Sequence, residues 1–168
     1  ARGRVGQDRL GWLDNEMPAD VRDRMTAPLS SMMDESEQSL LRILHYPPLS
    51  EELEKGAEDS TAIRAAAHED INLITLLLAG SKPGLEAQDT DGRWHNVPCD
   101  PGMITINNGD MLSLATNGFY PSTTHRVVNP ERTQNSARYS MPMFLHPRPH
   151  VALTQGFTAA MFPQQPLR

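Results

Sequence analysis

The sequence has 168 residues, 38% hydrophobic and 21% charged, which is long enough for one domain with a hydrophobic core and too short for two ordinary ones. Its formal net charge is −6, from 15 basic and 21 acidic residues, which argues against partners such as nucleic acid or an anionic membrane surface. The single cysteine, Cys99, excludes an intramolecular disulfide framework, and no apolar run approaches the roughly 20 residues of a membrane span. We therefore predict a soluble, cytoplasmic globular protein.

The composition divides the chain into three stretches. Residues 1–39 are charged and rich in methionine, with a weak helical pattern typical of short surface helices with few core contacts, or of a partly disordered lead-in. Residues 40–150 contain short apolar segments separated by Asp-Gly, Asn-Gly and Asn-Pro turn signals, which indicates the core domain. Within it, the polar residues 48–62 predict an exposed loop or a helical turn. Residues 151–168 form a C-terminal tail, in which one short helix is expected over 157–162.

Strand-sized apolar segments recur through the core domain, at a spacing typical of a β-sandwich or barrel. Residues 63–79 lack Gly and Pro, and three successive alanines there favour a helix. The segment from Ile71 to Leu78 has no polar helical face, however, so we predict extended structure from about His68. The expected strands are Leu41–Tyr46, Ile71–Leu78, Trp94–Val97, Met103–Ile106, Met111–Ala115, His125–Val128 and Tyr139–Leu145.

His68 and Asp70 form the first candidate site. Residues two apart on a strand face the same way, so both side chains would converge on one point, whereas on a helix they would diverge. Two histidines and one carboxylate on one face of an iron ion suit ferrous oxygen chemistry, because three coordination positions stay open. A single His-x-Asp pair is a weak signal, and the alternative for the pair alone is a solvated strand end.

A second group of candidate residues follows. His125 begins an apolar segment that a barrel would bring back opposite the first pair. Arg138 and Ser140 are again two apart on an expected strand, where a planar charged fork and a hydroxyl donor together suit a carboxylate. The remaining four histidines lack such partners, and structural or surface roles are expected for His45, His95, His146 and His150.

Five motifs in order resemble the isopenicillin N synthase-like family of non-haem iron, 2-oxoglutarate-dependent oxygenases: LRILHYPP, HED, NNGDMLSLATNG, THRVVNP and RYSMPMF. The resemblance covers residues 40–150. It implies a mainly β fold, the double-stranded β-helix or jelly-roll barrel with a few flanking helices, whose mouth holds the iron. It also implies an Fe(II)- and 2-oxoglutarate-dependent dioxygenase that uses O2 to oxidise a small organic substrate, by hydroxylation as the default, and releases succinate and CO2.

The resemblance also implies roles for the candidate residues. His68, Asp70 and His125 match the family's iron ligands by motif. Arg138 and Ser140 match the pair that binds the distal carboxylate of 2-oxoglutarate. These are the expected catalytic, metal-binding and co-substrate residues of the chain.

Two positions near the start of the core domain complete the comparison with the family. Tyr46, in the Tyr-Pro motif, matches a tyrosine that often contacts the co-substrate, whereas many members carry Asn where this chain has Leu44.

Members usually have a substantial region of helices and strands before the LRILHYPP motif, and only about 40 residues precede it here. Either a portion of the protein is missing from this chain or the chain is an unusually small member, and we expect the former.

Three alternative functions remain open at this point. One is a family oxidase that does not use 2-oxoglutarate, of the isopenicillin N synthase or aminocyclopropane oxidase type, because these enzymes share the Arg-x-Ser signature. Another is a binding module whose site is catalytically incompetent. The third is a non-redox metal enzyme, such as a zinc hydrolase or lyase, against which Arg138 and Ser140 argue because hydrolysis needs no second acid anchored there. The sequence indicates neither the identity of the substrate nor the oligomeric state.

Overall fold

The structure is a computed structural model that describes residues 17–50, 64–129 and 135–162. The loop or helical turn expected over 48–62 lies mostly outside these ranges, as do residues 1–16 of the lead-in. The helices are α1 (Ala19–Arg22), α2 (Leu29–Met33), α3 (Asp110–Ala115) and a 3₁₀ helix (Ala159–Met161). The strands are β1 (Leu40–Leu41), β2 (Leu44–Tyr46), β3 (Ala65–His68), β4 (Ile74–Leu78), β5 (Leu85–Gln88), β6 (Trp94–Asn96), β7 (Ile104–Asn108), β8 (His125–Val127), β9 (Arg138–Leu145), β10 (Ala152–Thr154) and β11 (Phe157–Thr158).

Two antiparallel sheets form the barrel. The first sheet has the order β1-β9-β4-β7, with β2 also paired to β9, and the second has the order β3-β8-β5-β6. The chain passes from one sheet to the other between β2 and β3, β3 and β4, β4 and β5, β6 and β7, β7 and β8, and β8 and β9. This alternation is the jelly-roll arrangement, so the predicted fold class is confirmed.

The strand expected over Leu41–Tyr46 is divided into β1 and β2. Both halves pair with β9, and the break lies opposite Pro142, whose carbonyl accepts a hydrogen bond from the Arg42 N–H at 3.0 Å. Pro142 has no N–H with which to return that bond, so the ladder is interrupted at this point.

One expected strand, Met111–Ala115, is wrong: the segment is helix α3. Met111, Leu112 and Ala115 are buried on one side of it, at helical spacing. The first amides of the helix are already bonded, since the N–H of Asp110 donates to the carbonyl of Asp70 at 2.8 Å. Leucine, methionine and alanine also favour helix over strand, so local propensity and the tertiary bonds agree.

The stretch around the first candidate pair also differs from the prediction. Strand β3 begins at Ala65, three residues earlier than expected, so sheet pairing overrides the helix propensity of the alanines. Strand β3 ends at His68, and Asp70 lies in the turn that leads to β4. The two side chains therefore do not share one strand face, and the turn brings them together instead.

The hydrophobic core joins parts of all three stretches of the chain. Its buried side chains come from Met17, from helices α2 and α3, from the turn before β4, and from residues 151–159, and they include Met32, Leu73, Met111 and Leu153. The expectation of few core contacts in the lead-in is therefore wrong for residues 17–39. The helix expected over 157–162 is a strand, β11, followed by one 3₁₀ turn. No helix of the described ranges is long and apolar enough to span a lipid bilayer.

Candidate functional site

A cavity of about 140 Å³ lies between the two sheets. Both sheets contribute lining side chains, and most of these are apolar. All six residues that the sequence analysis singled out line this cavity: Tyr46, His68, Asp70, His125, Arg138 and Ser140.

His68, Asp70 and His125 converge at one place in the cavity. Each offers one ligand atom, and the three atoms lie within 4.8 Å of one another. His125 Nε2 and Asp70 Oδ1 are 3.9 Å apart, which is too long for a hydrogen bond. Strands β3 and β8 pair His68 with His125 directly, and their rings stand with centroids 4.3 Å apart. Two imidazole nitrogens and one carboxylate oxygen are a suitable donor set for a divalent iron ion.

Both imidazole rings are oriented by the backbone. Nδ1 of His68 lies 2.7 Å from the carbonyl oxygen of Ala66, and Nδ1 of His125 lies 3.0 Å from that of Thr123. A carbonyl oxygen only accepts, so each Nδ1 carries the proton and donates it. In the neutral ring this tautomer leaves Nε2 as the unprotonated nitrogen, which is the form that binds a metal ion.

The Asp70 carboxylate is held by a polar network that the sequence analysis missed. Asp70 is 8% exposed, and its Oδ2 accepts hydrogen bonds from Thr75 Oγ1 at 2.6 Å and from Asn107 Nδ2 at 2.9 Å. Asn72 Nδ2 in turn donates to Thr75 Oγ1 at 3.1 Å. With Oδ2 fixed in this way, Oδ1 is the oxygen that faces His125.

Arg138 supplies a buried cation to the same cavity. It begins β9, is 1% exposed, and alternates with Ser140 on the inward face of that strand. Its Nε donates to the carbonyl of Lys82 at 3.1 Å, and its Nη2 passes over Gly80, where a Cβ would lie 2.7 Å from it. Its Nη1 is buried and has no hydrogen-bond partner among the described residues.

The Arg138 guanidinium therefore fits an anionic ligand. Burial lowers the pKa of Arg138 below its ordinary value, the nearby Tyr46 opposes this effect, and Arg64 adds to it. Arginine remains charged even so, and a buried charged N–H without a partner is costly. A carboxylate within the cavity would accept from Nη1 and relieve that cost. Tyr46 pairs with Arg138 in the register of β2 and β9, with the guanidinium 5.6 Å from its ring centre.

The other four histidines lie apart from this cluster. His45 stacks on Tyr139 with ring centroids 4.8 Å apart, and the exposed His95 contacts Asp89 at 2.6 Å. His146 is half-buried after β9, and His150 is exposed. Among the described residues, the one group of three or more potential metal ligands contains none of them.

Comparison with known proteins identifies the family. The family model of the 2OG-Fe(II) oxygenase superfamily matches residues 37–147, which is more than half of the chain. The chain belongs to the 2OG-Fe(II) oxygenase superfamily. A 2-oxoglutarate-dependent dioxygenase of Monascus ruber is 42% identical over 106 residues, which are 62% of this chain and 30% of that relative. Gibberellin 2-beta-dioxygenase 2 of Arabidopsis thaliana is 35% identical over 135 residues, 80% of this chain and 37% of the relative.

Solved structures of this superfamily share the fold. A Shewanella oneidensis protein named as an oxygenase superimposes with a TM-score of 0.77 at 48% identity, covering 91% of this chain and 55% of that one. A full-length Neurospora crassa protein in complex with alpha-KG gives a TM-score of 0.61 at 32% identity, over 67% of this chain and 37% of that one. The chain spans about a third of the length of the curated relatives that it matches.

Proposed function

We propose that this chain carries the iron and 2-oxoglutarate sites of a dioxygenase that hydroxylates a small organic substrate. One observation carries the proposal: a His-Asp-His cluster and a buried guanidinium with an unpartnered Nη1 line the same small cavity. The cluster suits a divalent metal ion, and the guanidinium suits a carboxylate, so a ligand that chelates the metal and ends in a carboxylate satisfies both. 2-Oxoglutarate is such a ligand.

In this proposal, each residue has a separate task. His68 and His125 offer Nε2 and Asp70 offers Oδ1 to Fe(II), while Arg138 and Ser140 hold the far carboxylate of 2-oxoglutarate beside Tyr46. The chemistry supplied when both are bound is oxidative decarboxylation of the oxo acid to succinate and CO2, coupled to oxidation of the substrate by O2. The apolar side chains of both sheets exclude bulk water from this chemistry.

A small organic molecule is the proposed substrate class. The site is a small cavity between the two sheets, mostly apolar with a few convergent polar groups, which is the kind of lining typical of a small-molecule site. Structures of the Neurospora crassa protein contain alpha-KG together with thymine or 5-formyluracil, which supports a small molecule here as well.

The decisive test is anaerobic titration of the protein with Fe(II) and 2-oxoglutarate, observed through the weak visible metal-to-ligand charge-transfer band. We expect a saturable band for the unaltered chain and none for His68→Ala, because that variant loses one of three ligands. Arg138→Leu should raise the 2-oxoglutarate concentration needed for half-saturation far more than it changes the Fe(II) affinity, since Arg138 holds only the distant carboxylate.

Two results would contradict the proposal. A chain that binds Fe(II) but gives no band with 2-oxoglutarate would favour a family oxidase that does not use this co-substrate. A chain that binds neither would leave a binding module without catalytic competence. Succinate measured by chromatography after admission of O2 separates the proposed dioxygenase from both alternatives.

A further inference from the structure

The outer face of the first sheet is apolar across all of its strands. Successive residues of a strand point to opposite faces, so every second residue of β9, β4 and β7 points away from the cavity. Strand pairing places these outward residues in two rows, Met141–Leu78–Ile104 and Leu41–Met143–Leu76–Ile106. The hydrophobic core packs against one end of this face, at Ile74, and leaves both rows uncovered.

Large side chains of this outer apolar face are in contact with water. Six of them are between 47% and 72% exposed: Leu41, Ile43, Leu78, Ile104, Ile106 and Tyr139. Together they expose on the order of 700 Å² of apolar surface, whereas a monomeric protein rarely exposes a contiguous apolar patch of more than a few hundred Å². Such a surface gains free energy when a second apolar surface covers it.

The absence of charge on this face favours a second copy of the chain as the partner. The chain has a formal net charge of −6, yet no Asp, Glu, Lys or Arg occupies an outward position of β1, β2, β4, β7 or β9. The polar residues at these positions are His45 and Asn108. A two-fold contact brings the same patch of both copies together, so an uncharged patch avoids the repulsion that the net charge would otherwise cause.

We propose that two copies of this chain associate through their outer apolar faces, sheet against sheet, in a closed two-fold dimer. Two sheets that pack face to face lie about 10 Å apart with their side chains interdigitated. A contact of about 700 Å² per copy is slightly smaller than a standard interface, so we expect a dissociation constant on the order of 10–100 μM. At a few micromolar the chain is then monomeric, with this face exposed. The association requires neither iron nor 2-oxoglutarate.

Sedimentation velocity over protein concentrations from about 2 to about 400 μM tests the proposal. For the unaltered chain we expect the weight-average mass to rise from 18.7 kDa toward twice that value. Ile104→Glu and Ile43→Glu each bring an unpaired carboxylate into the interface, at two separate places on the face. Each variant should raise the dissociation constant at least about tenfold.

Met161 provides the matched control. It is 57% exposed, as Ile104 is, but it lies in the 3₁₀ helix and outside the sheet. Met161→Glu should keep the dissociation constant of the unaltered chain within about twofold. Circular dichroism should show that all variants are folded. Labelling of the methionine methyl groups with ¹³C locates the contact: the signal of Met141 should shift with protein concentration, and that of Met161 should not.

Each of the other outcomes overturns the inference. An unaltered chain that stays monomeric at about 400 μM does not use this face for a second copy. Glutamate variants that associate as strongly as Met161→Glu would place the contact on another surface, and assemblies that grow beyond the dimer would exclude a closed two-fold contact. A chain that stays monomeric and is strongly destabilised by Ile104→Glu would have its outer apolar face covered by a segment of the same chain. The Fe(II) and 2-oxoglutarate titrations test the proposed function separately.

Discussion

Asn107 contacts the carboxylate of Asp70, the proposed metal ligand. It donates to Oδ2 at 2.9 Å, and with Thr75 it leaves Oδ1 directed toward His125. Loss of such an outer partner typically costs about 10–100-fold in metal affinity, because the ligand is no longer held in its binding orientation. We predict that Asn107→Ala weakens Fe(II) binding by about this factor, as measured by anaerobic titration against a competing chelator.

The neighbouring residue provides the control for this prediction. Asn108 follows on the same strand, and its side chain points to the opposite face because successive residues of a strand alternate. Asn108→Ala should therefore retain the Fe(II) affinity of the unaltered chain. Equal affinities for both variants would show that the amide of Asn107 does not position the carboxylate.

At the level of single residues, the sequence indicated the reactive groups but not the side chains that hold them in position. The motif spacing was sufficient to propose Asp70 as a ligand, because the type and order of the residues carry that signal. Thr75 and Asn107 come together only through the register of β4 and β7, where they are directly paired. Register follows from the packing of whole strands, so a single sequence without a structure gives no reason to choose these two polar residues.

Helix α3 begins directly against the turn after β3, and that turn carries Asp70 of the candidate metal site. Gly109 caps α3, and a Cβ there would lie 2.2 Å from the carbonyl oxygen of Asn72 and 2.7 Å from that of Asp70. Both contacts are with backbone, which cannot swing aside as a side chain can. A side chain at residue 109 must therefore displace the turn that carries Asp70.

We predict that Gly109→Ala lowers both the free energy of unfolding and the Fe(II) affinity. The stability loss should be about 1–3 kcal/mol, typical of forced overpacking, and urea denaturation measures it. Gly102→Ala is the control, since its added Cβ meets nothing within 4 Å and only the positive φ of 87° is unfavourable. That control should lose some stability but keep its Fe(II) affinity. Unchanged Fe(II) affinity in Gly109→Ala would contradict the coupling between helix and site.

The elements themselves were predicted unevenly, for identifiable reasons. Strands with alternating or apolar sequences, such as β4 and β9, were recognised, because one face packs inside the barrel. Strand β5, Leu85–Gln88, was missed because only two of its four residues are apolar. Helix α3 was predicted as a strand because its short apolar run fits the periodicity of a buried strand as well as that of a helix. The hydrogen bonds of its first amides to the turn at Asp70 are long-range contacts, which the sequence does not reveal.

On the scale of the whole molecule, apolar side chains are distributed on both faces of the first sheet. Ile104 on β7 is 57% exposed on the outer face, together with Leu78 and Met141, whereas Leu73 is fully buried in the core. An apolar side chain stabilises the fold through burial only to the extent that folding removes it from water. Leu73 therefore contributes more to the free energy of unfolding than Ile104 does.

We predict that Ile104→Thr changes the free energy of unfolding of this chain by less than about 0.5 kcal/mol, because the β-branched shape is kept and the site is exposed. Leu73→Ala should cost about 2–5 kcal/mol through lost burial and a cavity. Urea denaturation of both variants tests this difference. A loss of more than about 2 kcal/mol for Ile104→Thr would mean that its outer face is covered in solution.

We expect the acid stability of the whole chain to depend in part on His146. Burial lowers the pKa of His146 below its ordinary value, and this effect exceeds the opposing influence of Asp70. The unfolded chain then takes up a proton near the ordinary histidine pKa of about 6.5, while the folded chain takes it up only at lower pH. Between these two values the unfolded state binds more protons, so stability falls as pH falls through about 6.5.

We therefore predict that His146→Gln reduces the fall in melting temperature between pH 7.5 and 5.5, measured without metal, because glutamine takes up no proton. His150→Gln, at an exposed histidine in the same tail, should keep the pH dependence of the unaltered chain. The proposed metal ligands His68 and His125 are common to all three proteins, so any contribution from them cancels from the comparison. Parallel curves for His146→Gln and the unaltered chain would show that burial of this imidazole does not limit acid stability.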